Sequence, residues 1–553
     1  MRFVLPVLLG LLCAASVSAQ DRTGLPAIPI ATLKEALRTL ASDEFEGRAP
    51  GTPGEQKTLD YLVRHFQKAG LKPGNPNGPN GPSWFQDVPL VAVTSQNHSG
   101  LSFTGGTQPL SLKHGSDYVA VSYRPVPRTA VKDSAVVFVG YGVNAPEKGW
   151  NDYAGIDVKG KTVIILVNDP DWQSTGLDGP FGGRAMTYYG RWTYKYEEAA
   201  RQGAAAALIV HQSEPAAYGW GTVQVSWSGE TDIADAPGDG SKPPVSGWIQ
   251  LDKARALLAS GGRDFDTLVA AASRKGFKAV PLAGVKASLS FDNALRRHRS
   301  KNVIGILPGA RRPGEYVLHT AHWDHLGRCE PAPDGDDICN GAVDNASGTA
   351  ALIALAEANG KAGPADRSMV FIAFTAEESY LLGADHYGAN PVFPLGRTVG
   401  GINMDTLIPT PAALNVVMVG RGKSDLDAYL DRALVKQGRV NSPEPTPERG
   451  SYYRSDHFSL AKRGVPMLFL KGGDDLIEGG KAAGQALAAD YVRNRYHSPK
   501  DEFDPNWNWD GLAQDVQIYY AVGRELAMTT GWPNWVDGDE FRAIRDKSRT
   551  GAK

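Results

Sequence analysis

The sequence predicts an α/β protein with a mostly parallel central sheet flanked by helices and interrupted by an inserted β-rich domain. Three observations carry this prediction. From Asn302 onward, short continuous apolar runs ("NVIGILPG", "EYVLHTA", "SMVFIAFTA", "TVGGINMD", "PMLFLKGG") alternate with helical stretches such as Thr349 to Asn359 and Leu426 to Gln437. Unbroken apolar runs suit strands covered on both faces, and strand–helix alternation implies parallel pairing. Between about residues 95 and 295 the texture changes to short β-rich runs ("AVVFVGYG", "KTVIILVND") among loops rich in glycine, tryptophan and tyrosine. Third, 553 residues exceed what one ordinary core supports, so two or three units are expected.

Taken in order, the first segment reads as a processing signal. "MRFVLPVLLGLLCAASVSAQ" has Arg2, an apolar run through Ala15, and small residues Ser18 and Ala19 before a polar chain. Cleavage is expected after Ala19, which makes the mature chain exported, periplasmic or secreted. The run is too short for a membrane span, and no later stretch is long enough, so no integral membrane segment is expected in the mature chain. Leu59, Leu62, Val63 and Phe66 then repeat at helical spacing before Gly70, predicting a helix over residues 55 to 69. "KPGNPNGPNGPSW" from Lys72 is turn chemistry and reads as a loop. Residues 20–105 and 296–536 are expected to form one domain, with 106–295 inserted and 537–553 a charged, frayed tail. Within the insert, "YEEAARQGAAAALIVHQ" is a helix followed by a strand.

Composition excludes several functions. At 42% hydrophobic and 21% charged residues the chain is globular, and a net charge of −2 leaves no basic surplus for nucleic acid or an anionic membrane. After signal removal two cysteines remain, Cys329 and Cys339, in "CEPAPDGDDIC". In an oxidising compartment they are expected to form a disulfide, stabilising by roughly 2–3 kcal/mol in the chain-entropy picture. The run "GYGVNA" imitates a dinucleotide fingerprint, but Pro146 breaks the helix that would receive a phosphate. The aromatic group Tyr188, Tyr189, Trp192, Tyr194 and Tyr196 is expected to pack within the insert rather than to line a cleft.

In open α/β sheets, ligand sites lie beyond the carboxyl ends of strands. Those ends deliver His322 and Asp324 from "EYVLHTAHWDHLG", Glu377 and Glu378 from "VFIAFTAEES", and Asp405 from "GGINMD". Asp344 heads the helix that begins in "AVDNASGTAALIALAEA", and "RYHSPKDEFD" supplies Tyr496 and His497. Imidazoles and carboxylates in this combination suit zinc or another divalent first-row ion. So few side chains serve two ions only if one carboxylate bridges, and Asp344, near a helix start that tolerates an anion, is the natural bridge. Asp324, two residues past His322, is placed to accept the imidazole's second N–H. Of the adjacent Glu377 and Glu378, one can bind metal while the other serves as general base.

These motifs, in this order, resemble the zinc aminopeptidase family that includes glutamate carboxypeptidase II, glutaminyl cyclase and the transferrin receptor ectodomain. "TAHWDHLG", "NGAVDNASGTAAL", "FTAEESYLLGADHY", "INMD" and "YHSPKDEFD" carry the resemblance, "LASDEFEGRAPGTPGEQKTLDYL" looks like the opening helices, and residues 135 to 210 look like a protease-associated insert. The resemblance implies two zinc ions per chain, with Co2+ or Mn2+ as substitutes: one on His322, Asp344 and Asp405, the other on Asp344, Glu378 and His497. It makes Glu377 the base and Tyr496 a hydrogen-bond donor to the oxyanion, joins Asp344 to Asn345 by a cis peptide, and gives Asp456 and His457 supporting roles. It further implies hydrolysis of peptide substrates through a metal-bridged hydroxide, with N-terminal cleavage (aminopeptidase) favoured. Carboxypeptidase action is the alternative and would draw on Arg454, Arg463 or Lys471 for a terminal carboxylate; glutaminyl cyclisation comes third. A non-catalytic receptor is disfavoured because every ligand position and Glu377 are filled.

Overall fold

The computed structural model describes residues 27–227, 229–236 and 241–550. The expected signal segment, residues 1–19, lies outside them. Arg312–His322 pairs in parallel with Arg367–Phe374 on one side and with Thr398–Asn403 on the other, and Thr398–Asn403 pairs in parallel with Met467–Lys471. The flanking strands are antiparallel: residues 303–307 run against Arg367–Phe374, and Asn415–Met418 against Met467–Lys471. Arg367–Phe374 and Thr398–Asn403 are buried along their whole length, and Arg312–His322 is buried from Val317 to its carboxyl end, as the apolar runs require.

Helices cover both faces. Ser347–Lys361 is apolar or small all round ("SGTAALIALAEANGK") and is correspondingly buried on nearly every side. A β-carbon added at Gly348 would lie 2.4 Å from the Met404 carbonyl oxygen, so only glycine lets the start of this helix press against the segment leading to Asp405. Ile30–Leu40 packs against the same helix, tied by Thr32 Oγ1 donating to Glu357 Oε2 at 2.7 Å. The predicted helix over 55 to 69 is Pro53–Lys68, burying Leu59, Leu62 and Phe66.

The middle portion has its own core. One apolar cluster draws on residues from Leu101 to Phe291, around the parallel strands Thr162–Leu166, Ala206–His211 and Val245–Gln250. A separate cluster draws on Ile28 to Leu71 and Val303 to Ala527. A single 28-residue strand, Val280–Leu307, belongs to both, pairing with Phe85–Gln96 over residues 292–303. It crosses the expected junction at 295/296 without a break.

The C-terminal segment corrects an expectation. Rather than a frayed charged tail, Arg542–Thr550 is a helix whose Arg545 is fully buried and donates to the Val399 carbonyl at 3.0 Å. Lys423 Nζ reaches Asp539 Oδ2 at 2.7 Å and Glu540 Oε1 at 3.0 Å. The charges that suggested solvation meet partners on the body of the protein.

Candidate metal centre

Because Arg312–His322, Arg367–Phe374 and Thr398–Asn403 are parallel and in register, their carboxyl ends open at one edge of the sheet. His322 ends the first strand, Glu377 and Glu378 follow the second by three and four residues, and Asp405 follows the third by two. Asp344 comes from the turn before Ser347–Lys361, with its peptide to Asn345 in the cis form. His497 arrives from the turn after Gly480–Asn494.

These side chains converge. His322 Nε2 lies 3.4 Å from Asp344 Oδ1 and 3.4 Å from Asp405 Oδ1. His497 Nε2 lies 3.3 Å from Asp344 Oδ2 and 3.2 Å from Glu378 Oε2. Asp344 therefore turns one oxygen to each group. Four arms of about 2.0–2.1 Å set tetrahedrally place ligand atoms about 3.3–3.4 Å apart, which is the spacing seen. The donor set fits a divalent cation on a second ground. His322 Nδ1 donates to the Asp324 carbonyl at 3.2 Å, and its buried Nε2 is turned toward Asp344, Glu377 and Asp405. Burial disfavours charge on this imidazole, yet the surrounding carboxylates outweigh it and hold the imidazole well above its ordinary value, so the pocket favours positive charge at this point.

Asp324 corrects the expected pairing. Its carboxylate is 3.8 Å from His322 Nδ1, beyond hydrogen-bond reach; the backbone carbonyl of Asp324 takes that proton instead. The carboxylate accepts from the backbone N–H of Glu377 at 3.1 Å and of Glu378 at 3.4 Å. Asp324 thus positions the glutamate pair, and burial raises its carboxyl to about 6. Glu377 sits with Oε2 3.9 Å from His322 Nε2; burial pushes its carboxyl well above the usual range against the pull of His322. Burial opposes ionisation of Glu378 too, but His497 and His325 outweigh it and hold that carboxyl well below the usual range.

Three residues absent from the sequence reading complete the site. His325 is buried, donates from Nδ1 to Glu378 Oε1 at 2.6 Å, and with Asp344 and Glu378 forms another trio able to hold a cation. His497 faces the other oxygen of Glu378, so the two imidazoles do not compete for one atom. The signal for His325 was its place three residues after His322 in "HWDH". Asp501, in the "KDEFD" that follows His497, accepts from the backbone N–H groups of Val343 and Asp344 at 3.0 Å each. Arg48 is fully buried and donates to the carbonyls of Trp323, Leu40, Asn340 and Gly341 at 2.6–2.9 Å, stapling the His322 segment to the Asp344 segment. No spacing in the sequence announced it.

The centre lies in a cavity of about 2060 Å³, lined by Asp344, Glu377, Glu378, Asp405, Tyr496 and His497 and by residues of the middle portion. Tyr496 stacks on His497 with ring centroids 3.8 Å apart. The aromatic group departs from expectation in part. Tyr194 and Tyr196 are packed inside, but Tyr188 meets Tyr453, Phe458 and Phe541, and Trp192 meets Tyr380, so the cluster joins the middle portion to the sheet domain and borders the cavity. Cys329 and Cys339 are bridged, in a loop whose neighbour Leu326 lines the cavity.

Fold and site together define an α/β protein with a histidine–carboxylate cluster at the strand ends that could hold a metal ion. The model of Peptidase family M28 matches residues 302–521, a stretch that holds His322, Asp344, Glu377, Glu378, Asp405 and His497. Aminopeptidase NAALADL1 of Mus musculus is 33% identical over 138 residues, 24% of this chain and 17% of the relative. Aminopeptidase YwaD of Bacillus subtilis is 37% identical over 95 residues, 17% of this chain and 18% of the relative. A glutamate carboxypeptidase 2 homolog of Caenorhabditis elegans is 32% identical over 202 residues, 34% and 24%. The chain thus matches about a quarter or less of the length of these relatives. Among solved structures, an aminopeptidase from Aneurinibacillus sp. strain AM-1 aligns over 93% of this chain and 97% of its own at 19% identity, with a TM-score of 0.49.

Proposed function

We propose that the protein is an exported, two-zinc aminopeptidase. The observation that carries the reading is Asp344, whose Oδ1 and Oδ2 face two separate histidine–carboxylate groups while Glu377, beside them, remains free for proton transfer. One ion would be held by His322, Asp344 and Asp405, the other by Asp344, Glu378 and His497. When bound, such ions polarise a carbonyl and lower the pKa of water.

The chain's own residues do the rest. Glu377 takes a proton at its carboxylate and delivers it to the leaving amine, a role worth roughly 10²–10⁴ in rate. Asp324 holds Glu377 and Glu378 by their backbone N–H groups. Tyr496, lining the cavity, donates to the oxygen that gains negative charge. The acidic centre draws a free α-amino group, which favours N-terminal over C-terminal cleavage. The middle portion, read as a protease-associated insert, roofs the cavity and limits access by folded proteins. The disulfide and the signal-like first residues support export.

The test is metal analysis of the purified protein with a panel of free and N-acetylated peptides. Two equivalents of zinc and cleavage of free peptides only are expected. A single zinc with cyclisation of N-terminal glutamine, or faster turnover of acetylated peptides, would replace this reading.

A further inference from the structure

The turn that carries Glu377 and Glu378 has an unusual backbone. Ala376, Tyr380 and Leu381 bracket the two glutamates at φ of +52°, +65° and +64°. Left-handed backbone at residues with side chains persists only where the surroundings over-determine it, and it gathers at functional sites. The turn also closes on itself. The Leu381 N–H donates to the Glu377 carbonyl at 2.9 Å and the Leu382 N–H to the Ala376 carbonyl at 3.0 Å, so Tyr380 lies within a ring that begins at Glu377. Asp324 holds this ring by the N–H groups of Glu377 and Glu378. A second hold comes from the middle portion. The Tyr380 ring meets Tyr123 edge-on with centroids 5.8 Å apart, and Trp192 edge-on at 5.5 Å. Tyr123 and Trp192 each meet Trp227 at 5.9 Å and pack against a buried cluster of the middle portion. Tyr380 is thus a plug from the sheet domain in an aromatic socket built on the other core.

We propose that Tyr380 is a positioning residue for Glu377, and that through it the middle portion sets where the proton carrier stands. The inference rests on the peptidase reading, in which Glu377 moves the proton. Edge-to-face aromatic pairs are directional, so a ring caught between Tyr123 and Trp192 fixes the orientation of its side chain and, with it, the strained backbone that bears it. Tyr380 is three residues from Glu377 inside the hydrogen-bonded ring, so a shift at Tyr380 is passed on to Glu377. A general base works only within hydrogen-bond reach of the proton it takes, and misplacement by about 1 Å costs about 10²-fold. Tyr123, Trp192 and Tyr380 also line the cavity, and a direct contact with substrate would show itself in KM rather than in kcat.

The experiment uses the zinc-loaded protein with leucine 4-nitroanilide as substrate. Tyr380→Asn removes the ring but keeps a residue that tolerates left-handed backbone, whereas Tyr380→Phe keeps the ring. Tyr380→Asn should lower kcat by at least tenfold with KM within threefold of the parent, and Tyr380→Phe should stay within threefold in kcat. Trp192→Ala, on the socket side, should lower kcat in the same way; Tyr123→Leu replaces it if it does not fold. The double variant Tyr380→Asn/Trp192→Ala should fall no further than the weaker single variant, since both act through one contact. Parent-like kcat in Tyr380→Asn, a loss confined to KM, or additive losses in the double variant would overturn the proposal. Hydrogen–deuterium exchange is read on the same proteins. Faster exchange over residues 376–382 in Tyr380→Asn and in Trp192→Ala, with residues 367–374 unchanged, supports the coupling even if no substrate is cleaved. Parent-like exchange over 376–382 in both sinks it independently of the peptidase reading.

Discussion

His325 donates from Nδ1 to Glu378 Oε1 across 2.6 Å, and both side chains are at least nine-tenths buried. The bond ties up one oxygen of Glu378 and leaves Oε2 facing His497. Orienting partners of this kind change metal affinity by about 10–100-fold when removed. His325→Ala should therefore weaken one zinc by at least about tenfold while the His322 group keeps its ion, measured as two-step zinc release under chelator titration. Loss of both ions together would show that the groups are not separable.

Glu377→Gln removes the proton carrier and none of the assigned ligands. Zinc content should stay near the parent's while kcat/KM falls by about 10²–10⁴. Retained turnover would take Glu377 out of its role.

Arg48→Met strips the donors from four buried carbonyls, those of Trp323, Leu40, Asn340 and Gly341. Each orphaned group costs about 1–3 kcal/mol. A loss of about 3 kcal/mol or more in denaturant unfolding is expected, with weaker zinc binding because the staple joins the His322 and Asp344 segments. A variant as stable as the parent would mean that water replaces the guanidinium at no cost.

His319 is fully buried beneath the sheet, stacked on Phe371, and burial lowers its imidazole to about 3. Its unfolded value is near 6.5, so between these values the unfolded chain binds a proton that the folded chain does not. Its contribution to stability is complete above pH 6.5 and is lost progressively below it. Relative to His319→Gln, the parent should lose about 1.4 kcal/mol of its advantage between pH 7.5 and 5.5. Parallel stability–pH curves for the two proteins would contradict the buried neutral form.

The Cys329–Cys339 bridge closes a short loop. Replacing both with serine should lower stability by about 2–3 kcal/mol in the chain-entropy picture, with zinc retained. Zinc loss at native pH would show that the loop supports the centre directly.

The sequence by itself determined the strand–helix alternation, the burial of the central strands, and which side chains stand at strand ends. Unbroken apolar runs and the residues after them are local signals that need no partner to be read. Helix ends came out within a few residues for the same reason, as at Pro53–Lys68 and Leu426–Gln437. Tertiary structure alone decided which atoms meet. Asp324 gives His322 its backbone oxygen rather than its carboxylate, because the register of two neighbouring strands sets the Glu377 and Glu378 N–H groups against that carboxylate. Arg48 and Asp501 act on residues far along the chain, so no spacing could reveal them. The C-terminal segment looked solvated because Asp539 and Arg545 find their partners more than a hundred residues away, on Lys423 and the Val399 carbonyl. Contacts made across such separations are created by folding and have no counterpart in local pattern.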